Sequence, residues 1–154
     1  MRARAVLAAL ALLPGAARAD SEGAALFARC AACHTASGQG VVGAYPPLGR
    51  DLREMAATPE GRRYLVRVVL RGLAGPLEVE GKTYRNVMPA QAGLDAAGVA
   101  AVLNHAGGTL ASQGPVFRPF SAGEVAALAE GAAAIGPADN ARLHASLLAA
   151  RAPR

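Results

Sequence analysis

Cys30-Ala31-Ala32-Cys33-His34 places two thiols and an imidazole within little more than one helical turn. Thiols three positions apart share a helix face, and a histidine four positions after the first thiol falls on that same face. Two thiols so arranged can each form a thioether to one of the two vinyl groups of a haem, which aims the histidine at the iron; this is the c-type attachment pattern. They are the only cysteines in the chain. The spacing therefore points to one covalently bound haem c per chain, held by Cys30 and Cys33, with His34 as a metal ligand. A redox-active dithiol wants a preceding β-strand, whereas Ser21 to Arg29 is alanine-rich and helical in character. A tetrahedral zinc site wants four ligands in close pairs, and the remaining histidines, His105 and His144, stand far apart. A plain disulfide is the other structural reading in an oxidising compartment.

Haem iron that only exchanges electrons is usually held from both sides, most often by histidine and methionine. Beyond the initiator the chain offers Met55 and Met88. Met88 lies in Tyr84-Arg85-Asn86-Val87-Met88-Pro89-Ala90, where the proline and the missing helical period predict a loop able to bring sulfur to the opposite face. Met55 precedes a helix start at Thr58-Pro59 and is expected to pack. His105 falls in a helical pattern from Leu94 to Ala106, and His144 in the tail is expected to be a solvated helix residue.

The elements that must position these groups are mostly helical. From Thr58, Leu65, Val66, Val69, Leu70 and Leu73 mark one face and Arg63, Arg67 and Arg71 another, with Gly72 and Gly75-Pro76 as stops. The arginine stripe is the solvated side of an amphipathic helix, or else a docking patch for an acidic partner. Leu77 to Tyr84 alternates weakly around Gly81 and predicts a small hairpin leading into the Met88 loop. Gly107 to Phe120 reads as a linker, Ser121 to Glu124 as a capping box before an alanine-rich helix, and Asp139 to Ala150 as a last helix.

From Gly23 to about Ala106 the chain resembles the class I cytochromes c, especially the short monohaem type found as subunits or domains of bacterial periplasmic oxidoreductases. The matching pieces are Gly23 with Phe27, Cys30 to His34, Gly38 to Gly43, Pro46-Pro47-Leu48, Tyr84 to Ala90 with Met88-Pro89, and the helix after Leu94. The resemblance implies an all-α cytochrome c fold wrapped around one covalent haem, its first and last core helices crossing near Gly23 and Phe27. It also implies that the carbonyl of Pro47 accepts a hydrogen bond from the free ring nitrogen of His34. One departure is His105, where relatives often carry an aromatic residue, so the helix crossing is expected to be bonded differently. Gly107-Gly108 predicts an early end to that helix.

Arg2 and Arg4, the apolar run Ala5 to Leu13, Pro14-Gly15 and Ala17-Arg18-Ala19 form a secretory signal, with cleavage expected after Ala19. The expected organisation is thus residues 1–19 as signal peptide, 20–110 as cytochrome c domain, and 111–154 as linker and helical C-terminal extension. The mature protein is expected in the periplasm without stable membrane insertion, since no run approaches the roughly 20 apolar residues a span needs. The formal net charge of +5 falls to +2 once Arg2, Arg4 and Arg18 leave, so basicity makes no case for nucleic acid. Aromatic residues are 4% of the chain and tryptophan is absent, so a small core built mainly on alanine wants a bulky apolar cofactor to fill it.

The expected function is single-electron transfer between periplasmic redox proteins, a dehydrogenase as donor and an oxidase or other cytochrome as acceptor. The protein itself is not expected to be an enzyme. The alternative is a haem sensor or a small-molecule-reducing haem enzyme with a labile sixth ligand, for which no distal histidine or arginine motif stands near Met88. A chain ending at Ile135 is expected to fold and keep its ligands, because no ligand lies beyond that point.

Overall fold

The computed structural model describes residues 15–151. Residues 1–14 of the expected signal lie outside the described residues, while the backbone of 15–19 forms the start of helix α1 (Gly15–His34). This helix ends on the Cys30 to His34 motif, so the two thiols and the imidazole sit on its last turns. It crosses α4 (Ala96–Asn104) at the predicted place. A Cβ added at Gly23 would lie 2.5 Å from the carbonyl oxygen of Ala101, a separation that only glycine permits. One turn later Phe27 is buried, and its ring meets that of His105 at 5.4 Å between centroids.

Two helices follow the motif, α2 (Arg50–Ala56) and α3 (Pro59–Arg71). The start of α3 follows from its first residues: Thr58 is extended and its hydroxyl accepts from the N–H of Gly61 at 3.1 Å, while Pro59 occupies a position that needs no donor. Leu65, Val66 and Val69 are buried as predicted, each contributing roughly 1.5–3 kcal/mol of apolar burial. Of the predicted solvated arginines, Arg63 and Arg71 are exposed and Arg67 is half-buried. Met55 is buried in the core, in the packing role expected of it.

The predicted hairpin forms from β1 (Leu77–Val79) and β2 (Lys82–Tyr84), antiparallel with Leu77 opposite Tyr84. Its two-residue turn, Glu80-Gly81, has positive φ at both positions, the twist that suits a tight hairpin. Leu77, Val79 and Tyr84 bury one face of it.

The α-helical geometry of α4 stops at Asn104, ahead of the predicted Ala106, and gives way to a wider π-type turn over His105–Leu110. The glycine pair there has a packing reason: a Cβ at Gly107 would stand 2.2 Å from the ring of Phe117. The segment expected to be a linker is tied down. Asn104 donates to the carbonyl of Phe120 at 2.9 Å and accepts from its N–H at 2.7 Å, and Ala111 and Phe120 are buried.

The C-terminal part packs onto the core through a few buried residues, among them Val125, Ala132, Asn140 and His144. Ser121 caps α5 (Ala122–Leu128), accepting from the Glu124 N–H at 3.1 Å. The Glu124 side chain, which a capping box would turn back on Ser121, instead takes Arg62 at 2.6 and 2.7 Å. That guanidinium is buried, stands 3.5 Å over the Phe120 ring, and reaches the carbonyls of Ala56, Arg118 and Pro119. The last helix, α6 (Pro137–Arg151), lies against α3 and the hairpin. Here one expectation is corrected: His144 is 1% exposed rather than solvated. Asn140 in the same helix is fully buried and donates to the carbonyl of Gly72 at 2.7 Å.

Candidate haem site

The helices and hairpin leave an apolar cavity walled by residues of α1, α2, α3, the hairpin and α4. Cys30 and His34 enter it from α1, Met88 from the strand-like segment bridged to Leu73, and Leu65, Val68 and Leu103 line its walls. A second, smaller recess joins Cys30, Cys33, His34 and Met88. All four sequence-predicted side chains of the attachment and ligand set are therefore brought together.

Each is held by local structure. His34 is buried, and its Nδ1 lies 2.9 Å from the carbonyl oxygen of Pro46. A carbonyl only accepts, so Nδ1 carries the proton and Nε2 keeps the lone pair a metal needs. Burial pushes the imidazole pKa below its ordinary value, with the Pro46 bond opposing, and so favours the neutral, ligating form. Burial likewise raises the Cys30 thiol. Both cysteines are unpaired and half-buried on adjacent turns of the same face.

The acceptor is a correction: it is Pro46, not Pro47, while Pro47 lines the cavity. The reason lies in the loop. Consecutive prolines with fixed φ aim their carbonyls in different directions, and the chain is pinned on either side by Val41 N–H to Tyr45 O at 2.9 Å and Leu48 N–H to Gly38 O at 2.7 Å. Gly40 packs directly on this turn, where a Cβ would come 2.3 Å from the Tyr45 oxygen.

Met88 is half-buried, and both its backbone groups are fixed by Leu73: N–H to O at 2.9 Å in each direction. Gly72, at φ 74°, ends α3 so close to this segment that a Cβ would meet the Met88 oxygen at 2.4 Å. The chain of support continues into α6, whose Asn140 holds the Gly72 carbonyl.

Sequence reasoning missed Asp51, Tyr64 and His144, which also line the cavity. His144 Nε2 donates to Asp51 Oδ2 at 3.1 Å, and its ring meets Tyr64 at 5.4 Å. Burial, with Asp51 nearby, pushes the Tyr64 hydroxyl far above its ordinary range. The signal was present as the stripe Asn140, His144, Leu147-Leu148 and Arg151, one side of a helix. His105, by contrast, is occupied elsewhere, bonding Asp20 at 3.1 Å. With His105 and His144 both engaged, neither stands as a zinc partner for the cysteines.

The residues fit a haem: an apolar cavity, two thiols on one helix face at its edge, a histidine whose Nδ1 is engaged by a carbonyl, and a methionine among the lining residues. Fold and site together define a covalent haem protein for one-electron exchange. The Cytochrome c family model matches residues 21–105. A cytochrome c-552 of Thermus thermophilus is 45% identical over 121 residues, covering 77% of this chain and 82% of that protein. A second Thermus thermophilus cytochrome c-552 is 44% identical over 108 residues, 69% of this chain and 82% of the relative. The chain belongs to the cytochrome c family: it carries covalently bound haem c and is a monohaem electron carrier. At 77% of the chain, the likeness to the first relative necessarily extends beyond the family-matched segment.

Among the described residues no helix is long and apolar enough to cross a membrane.

Proposed function

We propose that the protein is exported, trimmed after Ala19, and passes single electrons between periplasmic redox proteins, from a dehydrogenase to an oxidase or another cytochrome, with His34 and Met88 as the axial ligands. The observation that carries this reading is that His34 and Met88 line one cavity from opposite elements, each fixed by backbone hydrogen bonding rather than by solvent-exposed loops. Bound haem supplies a ferric/ferrous couple whose potential a methionine ligand raises. The chain's own residues do the rest. Cys30 and Cys33 anchor the cofactor covalently, the Pro46 carbonyl sets the tautomer and orientation of His34, and the pairing with Leu73 fixes the backbone that carries Met88. Leu52, Leu65, Val68 and Leu103 exclude water from the cavity, so little solvent must reorganise when charge changes.

Electron exchange with a partner belongs at the Cys33 side, where Tyr45 and exposed Val87 flank the smaller recess. A small apolar contact there suits the brief encounters of redox proteins, which bury under about 1,200 Å².

Carbon monoxide tests the filled sixth position. The ferrous holoprotein at neutral pH is expected to keep its spectrum under the gas, and Met88→Ala to bind it at once. Rapid binding by the unmodified protein would favour the sensor or enzyme reading instead.

A further inference from the structure

Asp51 is a carboxylate in the wall of the cavity that neither the attachment motif nor the ligand set uses. It lies in the first turn of α2 with its side chain 13% exposed. Its Oδ2 accepts from Nε2 of His144 at 3.1 Å and its Oδ1 from Nη2 of Arg151 at 3.2 Å. Arg151 also stands 3.5 Å from Glu54 through Nη1, and it does not line the cavity. The carboxylate is therefore the cavity-facing member of the set and the guanidinium the outer one. Tyr64, packed on His144, stands with it on one polar stretch of a largely apolar lining.

Ferric haem carries one more positive charge than ferrous haem. A fixed anion in the wall stabilises the ferric form and lowers the potential, and a fixed cation does the reverse. Charges in or beside an apolar enclosure are screened far less than surface charges. The geometry points to Asp51, held by His144 and Arg151, as a potential-setting group for the iron, an inference that rests on the haem reading above. Helix α6 thereby contributes to the redox chemistry although it supplies no ligand: it delivers both residues that hold the carboxylate.

The test is potentiometric titration of the full-length holoprotein and its variants, with the visible spectrum recorded alongside. Asp51→Asn keeps the shape and an acceptor for His144 but removes the charge, and it is expected to raise the midpoint potential. Arg151→Gln is expected to lower it, and Arg151→Lys to return it toward the unmodified value. Each charge change should alter the ferrous-to-ferric ratio at a fixed solution potential at least threefold, which is roughly 28 mV at 59 mV per tenfold for one electron. A merely structural role would move Asp51→Asn and Arg151→Gln in the same direction. That result, or shifts below threefold in both, overturns the inference, as does Arg151→Lys behaving like Arg151→Gln. If Asp51→Asn does not mature, the two Arg151 variants decide alone. Failure of the haem reading is distinguishable, because the unmodified chain would then carry no covalent haem at all.

Discussion

His34 shows how little a motif fixes by itself. Its position after Cys33 makes it the candidate ligand, but which ring nitrogen keeps its lone pair depends on a carbonyl twelve residues away, that of Pro46. Sequence resemblance pointed to the neighbouring Pro47, because in a Pro-Pro pair the two candidate carbonyls differ only in direction, and direction comes from the turns that pin the loop. The place of Met88 on the cavity wall has a local signal: a methionine before proline in a segment without helical period predicts a loop rather than a helix face. Glu124 belongs to the opposite case, an ordinary helix-start residue by sequence. In the structure its carboxylate is held at about 2 by hydrogen bonds from Arg62 and then Arg118, against an unfolded value of roughly 4.3. A depressed folded pKa means that the stabilisation is full above the unfolded value and is lost as pH falls from there through about 2. Acid unfolding should therefore steepen across that window, and Glu124→Gln should flatten it while lowering neutral-pH stability by roughly 1.5–3 kcal/mol, the worth of hydrogen bonds to a charged group. Urea unfolding at several pH values measures both.

Among the elements, α1 and α4 set the frame, and their crossing depends on one missing side chain. Gly23→Ala would drive a methyl group into the Ala101 carbonyl at 2.5 Å, so the helices must part. The expected cost is about 1–3 kcal/mol, as for other overpacked contacts, read as a lower thermal midpoint with the visible spectrum retained. The start and stop of α3 and the hairpin could be read from the sequence, since each rests on local chemistry, a cap, a glycine stop and a turn, whereas the crossing came only from the family resemblance. The fate of residues 107–120 could not. Gly107-Gly108 signals a break by composition, yet here glycine makes room for Phe117, a contact made by a residue further along the chain. The π-type turn beside it frees the Gly107 carbonyl, which Arg53 Nε caps at 2.9 Å.

Across the whole molecule, the tail and the ligand loop are one structure. Asn140 holds the Gly72 carbonyl, Gly72 abuts Met88, Leu73 pairs with Met88, and His144 closes the cavity wall. The expectation for the tail rested on its lack of ligands, and a sequence shows which residues can bind iron but not which ones pack behind them. Truncation after Ile135 is now expected to leave the Gly72 carbonyl without Asn140, at about 1–3 kcal/mol for that group alone, and to open the wall to water. The shortened chain should unfold at lower denaturant and bind carbon monoxide more readily than the full one. The central claim is that His34 and Met88, from opposite sides of one cavity, are the ligands of the iron. The ferric absorption spectrum tests it most directly, through the weak sulfur-to-iron charge-transfer band. The band should be present in the unmodified protein and in Met55→Leu and absent in Met88→Ala; its survival in Met88→Ala, or its loss in Met55→Leu, would contradict the account.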